Sequence, residues 1–145
     1  MNFINALRIG ASGLSAQRLR MNVTSSNLAN INTTRMPGGG PYRRKDVVFA
    51  GKPLNPSFRD VLKSRMGQPV SEVRVQEIVE DPREPHAKYE PQHPDADAKG
   101  YVKTPNINLM EEMANMISAS RSYEANATAI KATKDMALKA LEIGR

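Results

Sequence analysis

Late in the chain, Leu109, Met113, Met116, Ser120, Tyr123, Ala127, Ile130, Lys134, Ala137 and Leu141 follow alternating steps of four and three, and eight of these ten are apolar. That period is a coiled-coil seam. Asn108 with Glu111 three residues on has the spacing of a capping box, Glu111 and Glu112 suit the positive end of a helix dipole, and Gly144 suits a stop. The spacing predicts one helix of about 35 residues, roughly 50 Å long at 1.5 Å per residue. Its polar seam positions, Ser120 and Lys134, would fix register at some cost in stability.

The first third repeats the theme more weakly. Leu7, Leu14, Met21 and Leu28 stand seven apart with Ile4 and Ala11 beside them, but the second column then degrades to Arg18 and Ser25. Gly10 and Gly13 each cost about 1 kcal/mol relative to alanine in a helix, which close approach of another backbone would offset. All ten prolines fall between Pro37 and Pro105, so helices belong at the two ends. Between them "MPGGGPYRRKDVV" opens with a turn-rich loop, and residues 59–66 have the makings of a helical turn. "VSEVRVQEIVEDP" alternates at Val73 and Val75 and reads as a strand ended by Asp81 and Pro82. "PREPHAKYEPQHP" has no period and reads as an extended strap or loop.

The expectation is a mainly α protein: two long terminal helices forming an antiparallel coiled coil around a small β-containing middle. The divisions are 1–35, 36–107 and 108–145, with no separate globular domain. "SSNLANINTT", residues 25–34, sets Asn27 and Asn30 on the last turns of the first helix, flanking Leu28. There their side chains can cap the helix, take its left-handed end, or pair across an interface. A plain helix terminus explains them equally well.

Composition narrows the chemistry. Only 39% of the 145 residues are hydrophobic and 5% aromatic, which is thin material for a compact core. There is no cysteine, which excludes disulfides, thiolate catalysis and cysteine-based zinc sites. No apolar run is long enough to span a bilayer, and "MNFINALRIGASGLSAQ" lacks the charged leader and apolar block of a secretory signal. The net charge of +6 invites a nucleic-acid reading, but residues 1–45 hold seven bases and no acid, whereas the remainder holds 14 bases against 15 acids. Only one end is basic, and a nucleic-acid-binding protein using that end is the rival reading.

Sharper sites fail on inspection. His86, Glu90, His93, Asp95 and Asp97 lie on a proline-interrupted segment with no spacing that sets a metal geometry. "DADAKG", residues 95–100, opens like a calcium loop, but Lys99 and Asn106 stand where two further oxygen ligands belong. "YRRK", residues 42–45, lacks the aromatic interleaving of a nucleic-acid module and reads better as a basic rim that meets acidic neighbours. No arrangement suggests catalysis or a cofactor.

The two ends together do resemble a family. "SSNLANINTT" followed by "GGPYRRKDVVF" resembles the amino-terminal signature of bacterial flagellar rod, hook and filament-junction proteins, in which an Asn-hydrophobic-Ala-Asn-x-Asn-Thr core ends the first helix. "NLMEEMANMISASRSYEANATAIKATKDM" resembles the partner signature near the other terminus. The short length and "YEPQHPDADAKGYVKTPNINLMEEM" look most like a proximal-rod member. The resemblance implies a structural subunit of the flagellar basal-body rod, assembling helically with other rod proteins and copies of itself into a drive shaft around the export channel. It implies export by the flagellar type III apparatus without a cleaved signal, a periplasmic place next to membrane-ring junction proteins, no bound nucleic acid and no membrane insertion. The assembly interface would then comprise Leu7, Leu14, Met21 and Leu28, the motif residues Asn27, Asn30, Asn32 and Thr33, and, from the tail seam, Met113, Met116, Tyr123, Ala127, Ile130, Lys134 and Leu141.

Overall fold

The protein is described here from a computed structural model, which covers residues 3–54 and 71–143. Helix α1 spans Phe3–Ala29, strands β1 to β4 span Lys45–Pro53, Ser71–Glu80, His86–Tyr89 and Tyr101–Thr104, and helix α2 spans Leu109–Ile143. The helical turn expected at 59–66 and the stop at Gly144 lie outside the described residues.

The two helices lie antiparallel. A methyl group added to Gly10 would fall 2.6 Å from Ile130 Cγ1, and one added to Gly13 would fall 2.9 Å from the Asn126 amide. At the far end Asn27 meets Glu112. The two glycines thus bring the backbones together at the cost in helix propensity noted above. Asn108 starts α2 as the spacing foretold, its Oδ1 accepting the amides of Met110 at 3.0 Å and Glu111 at 3.4 Å. Within α2, Ser122, Thr128 and Thr133 turn their hydroxyls back onto carbonyls four residues earlier, which lets polar side chains sit mid-helix.

The middle forms two separate antiparallel hairpins, β1–β2 and β3–β4. Residue Gln76 of β2 is one residue more than its partner strand holds, opposite the step from Val48 to Phe49, so the ladder carries a bulge there. The β1–β2 hairpin lies along α1: the Val73 amide donates to Ser12 Oγ at 3.1 Å, and Arg8 reaches Glu72 at 3.4 Å. The segment read as a strap contains β3, paired from His86 opposite Thr104 to Tyr89 opposite Tyr101. Gly100 makes the return with φ +81°, and a side chain there would also strike the Tyr89 ring at 2.9 Å.

The interior is small and partly polar. Among the described residues the largest side chains with almost no exposure are Glu112, Val102 and Asn27. Two of those three are not hydrophobic, so the centre of this fold is specified by hydrogen bonds as much as by burial.

Candidate assembly interface

Asn27 is the hub of that centre, with 1% of its surface exposed. Its Nδ2 donates to the Lys45 carbonyl at 2.8 Å and to Glu112 Oε2 at 3.0 Å, and its Oδ1 accepts from the Lys45 amide at 2.9 Å and the Tyr42 hydroxyl at 3.1 Å. Both amide hydrogens and both carbonyl lone pairs are therefore used, the full capacity of an asparagine side chain. The other Glu112 oxygen accepts Arg44 Nε at 2.8 Å. Burial alone would lower the Arg44 pKa, but Glu112 and Asp46 more than offset it and hold the guanidinium above its ordinary value. Tyr42 is buried and shares a further bond of 3.3 Å with Ser26, while the Lys45 ammonium lies 5.9 Å from the centre of the Tyr42 ring. The end of α1, the start of β1 and the first turn of α2 are thus clasped by one network.

This geometry separates the asparagines of the motif. Asn27 spends all four of its hydrogen bonds within its own chain and is far more than a terminal cap. Asn30 is the cap: its Nδ2 donates to the Ser26 carbonyl at 2.8 Å and its Oδ1 accepts Thr33 Oγ1 at 3.1 Å. Asn32 is exposed. The basic run divides likewise, because Arg44 turns inward to Glu112 while Arg43 faces solvent.

The face that α2 turns to α1 is offset from the one the hydrophobic pattern marks. Met116, Tyr123, Ile130 and Ala137 are at least half-buried as expected, although Leu109 ahead of them is exposed, and the second column is Glu112, Ala119, Asn126 and Thr133. Of the expected column, which starts one residue later, Met113, Ala127, Lys134 and Leu141 are exposed and Ser120 is partly buried. The reason lies on the opposite surface: the buried residues of α1 are Gly13, Ala16, Thr24 and Asn27, whereas Leu7, Leu14, Met21 and Leu28 sit half-buried at its flank. A face of small and polar residues admits close partners, among them Glu112, which hydrogen-bonds Asn27. One consequence is that large apolar side chains of α2 stay exposed after pairing: Met110, Met113 and Ile117, 74%, 46% and 52% exposed, share one side near its start, and Met136 and Leu141, 64% and 72% exposed, follow further along.

The acidic loop that resembles a calcium site is built differently. Asp97 Oδ1 accepts the amides of Lys99 at 2.8 Å and Tyr101 at 2.9 Å, and the Tyr101 bond first, then Lys99, lowers its pKa. Asp95 accepts Thr34 Oγ1 at 2.8 Å, tying this loop to the chain just after α1. His86 is exposed on β3 and His93 accepts the Asp95 amide at 3.1 Å. These side chains shape the loop instead of converging on one point.

Comparison with known proteins gives the geometry a context. Residues 7–35 match the family model described as flagella basal body rod protein, and residues 98–143 match that described as flagellar basal body rod FlgEFG protein C-terminal. Of the clasp, Asn27 lies in the first region and Glu112 in the second, and Tyr42, Arg44 and Lys45 fall between them. The chain is 46% identical to the flagellar basal-body rod protein FlgC of Borreliella burgdorferi, over 99% of this chain and 98% of that one. It is 46% identical to the protein of the same name from Bacillus subtilis and 41% identical to that of Salmonella typhimurium, in both cases over 100% of each chain.

Proposed function

The chain belongs to the flagellar basal-body rod protein family, and from that premise we propose that it serves as a proximal-rod subunit, stacking with copies of itself and other rod proteins into a tube that transmits torque. Its role is structural, and its place is the flagellar basal body. One observation carries the mechanism. After α1 and α2 have paired, α2 still presents a row of large apolar side chains to solvent, including Met113 and Ile117. Rows of that kind mark interaction surfaces, and methionine adapts to neighbours that meet it at slightly different angles. Contacts between unlike surfaces that do not close into a ring build an open helix, and 35-residue helices stiffen it.

On this reading the subunit crosses the inner membrane through the flagellar export apparatus and is assembled in the periplasm beside the ring junction. Among the described residues no helix is long and apolar enough to cross a membrane. The basic end supports the rod reading over a nucleic-acid one, since Arg44 and Arg8 meet acids of their own chain.

A strain lacking the gene, imaged for basal bodies and filaments, tests the proposal. It should show neither a completed rod nor filaments, and plasmid-borne protein should restore both. Ile117→Asp should leave the purified protein folded and fail to restore swimming. Normal filaments in the deletion strain, or normal swimming with Ile117→Asp, would overturn the reading.

A further inference from the structure

Two surfaces are left over at opposite ends of the helix pair. Near the clasp, a groove of about 340 Å³ opens between α1 and β2, lined by Asn22, Val23, Ser26, Tyr42 and Ile78 with Lys45 and Glu80. An apolar cavity of about 150 Å³ suffices for a benzene ring, so the groove has room for two aliphatic side chains. At the other end α2 runs on past Phe3, the first described residue of α1. With Ile130 beside Gly10, the helix continues to Ile143 and passes Phe3 by roughly 9 Å at 1.5 Å per residue. This overhang carries Leu138, Leu141 and Ile143, which are 49%, 72% and 88% exposed.

We propose that the α2 overhang of one copy seats in the α1–β2 groove of the next copy. The proposal rests on the rod reading for its partner and adds to it the pair of surfaces that meet. Leu138 and Leu141, three residues apart, lie on one side of the helix, and Lys139 and Glu142 form a second pair at the same spacing. The groove offers one base and one acid at its rim, Lys45 and Glu80. Seating the leucines against Val23 and Ile78 therefore allows Glu142 to face Lys45 and Lys139 to face Glu80. The overhang cannot fill its own groove, because Val23 and Leu141 lie at opposite ends of the pair, roughly 35 Å apart along the axis. A projection at one end and a socket at the other define a contact between unlike surfaces that repeats without closing.

The chain has no cysteine, so introduced thiols report this contact without background. The full-length protein carrying Leu141→Cys and Ile78→Cys is expressed in the deletion strain and oxidised in the intact cells. A ladder of disulfide-linked multimers is expected. The single Leu141→Cys protein and a Leu141→Cys/Tyr89→Cys pair, with Tyr89 on the other hairpin, should give none. Swimming cells without a ladder overturn the seating while leaving the rod reading intact. A dimer from Leu141→Cys alone, or a link from Ile78→Cys to a different protein, also overturns it. The second arm uses charge. Lys45→Glu should reduce swimming several-fold and Glu142→Lys in the same chain should restore it, whereas absence of rescue counts against the proposal. Failure of the unmodified protein to restore swimming would instead strike the rod reading.

Discussion

The two ends of the α1–α2 pair are held by different physics. At the Gly10 and Gly13 end, contact depends on closeness: no side chain intervenes on α1, and Ile130 and Asn126 fill the space where a methyl group would be. At the Asn27 end, contact depends on direction, since one amide, one carboxylate, one guanidinium and one phenol are placed so that each donor meets an acceptor. Close packing tolerates small slides at modest cost. A hydrogen-bonded buried charge does not, because a partner removed leaves the other charge unpaired. The clasp therefore sets register and the glycine end sets separation.

Breaking the clasp should have the largest effect. Glu112→Ala leaves the Arg44 guanidinium without its buried partner and should cost about 3 to 5 kcal/mol of stability, read as a lowered denaturant midpoint. Asn27→Asp, which sets a second carboxylate against Glu112, should also be severe. The same change at Asn30, where the partner carbonyl is exposed, should cost no more than about 1 kcal/mol. Equal losses at Asn27 and Asn30 would contradict the division of labour within the motif.

The glycine end should respond less. Gly10→Ala gains about 1 kcal/mol of helix propensity, yet its methyl group meets Ile130 Cγ1 at 2.6 Å. Overpacking of this kind costs about 1 to 3 kcal/mol, so a net loss in thermal midpoint is expected. Combining it with Ile130→Ala should recover part of that loss beyond additivity. Simple additivity would mean that the backbones are not pressed together there.

Between the two ends lies Gln17, whose buried Oε1 has no hydrogen-bond partner among the described residues. A buried acceptor left unmet costs about 1 to 3 kcal/mol, so Gln17→Met should stabilise the protein by about 1 kcal/mol in a urea melt. No gain would indicate that the oxygen is satisfied in solution.

The smallest effect concerns the rim of the clasp, where the Asp81 amide donates to the Arg44 carbonyl. Side-chain and then backbone hydrogen bonds from Arg83 lower the Asp81 pKa from 3.8 to about 2. A depressed carboxylate pKa adds stability above the unfolded value and loses it as pH falls through the folded one. Wild type and Arg83→Ala should thus differ near neutrality and converge between about pH 4 and pH 2. With Arg83 exposed, solvent screening keeps the difference small. A constant gap across that range would exclude this pair as its cause.

What the sequence reveals about these ends follows the same contrast. Periodicity marks both helices and one α2 column, Met116, Tyr123, Ile130 and Ala137, because apolar side chains announce burial. It misplaces the other column by one residue, because Glu112, Ala119, Asn126 and Thr133 are chosen to fit glycines and polar groups that hydrophobicity does not register. The cap at Asn108 is local and readable. The clasp is not, since no short-range rule links Asn27, Tyr42, Arg44 and Glu112. Strand β1 is hidden because Val47, Val48, Phe49 and Ala50 run on without polar alternation, and β3 by the prolines around it. Pattern and resemblance mark the expected assembly residues, and only the packing shows that Met113, Ala127, Lys134 and Leu141 are exposed after the chain has folded on itself.

The clasp also constrains the order of events in folding. Asn27 and Glu112 are 85 residues apart, and closing a loop of that length costs about 4 kcal/mol in chain entropy. A chain that emerges amino end first presents α1 long before its partner exists, so the first helix must wait, unpaired and marginal by itself. Pairing then occurs late and nearly all at once, when the last third arrives. Folding should therefore be slow for a chain so rich in helix, limited by a search for distant contacts, and incomplete chains should remain pliable until their final residues are free.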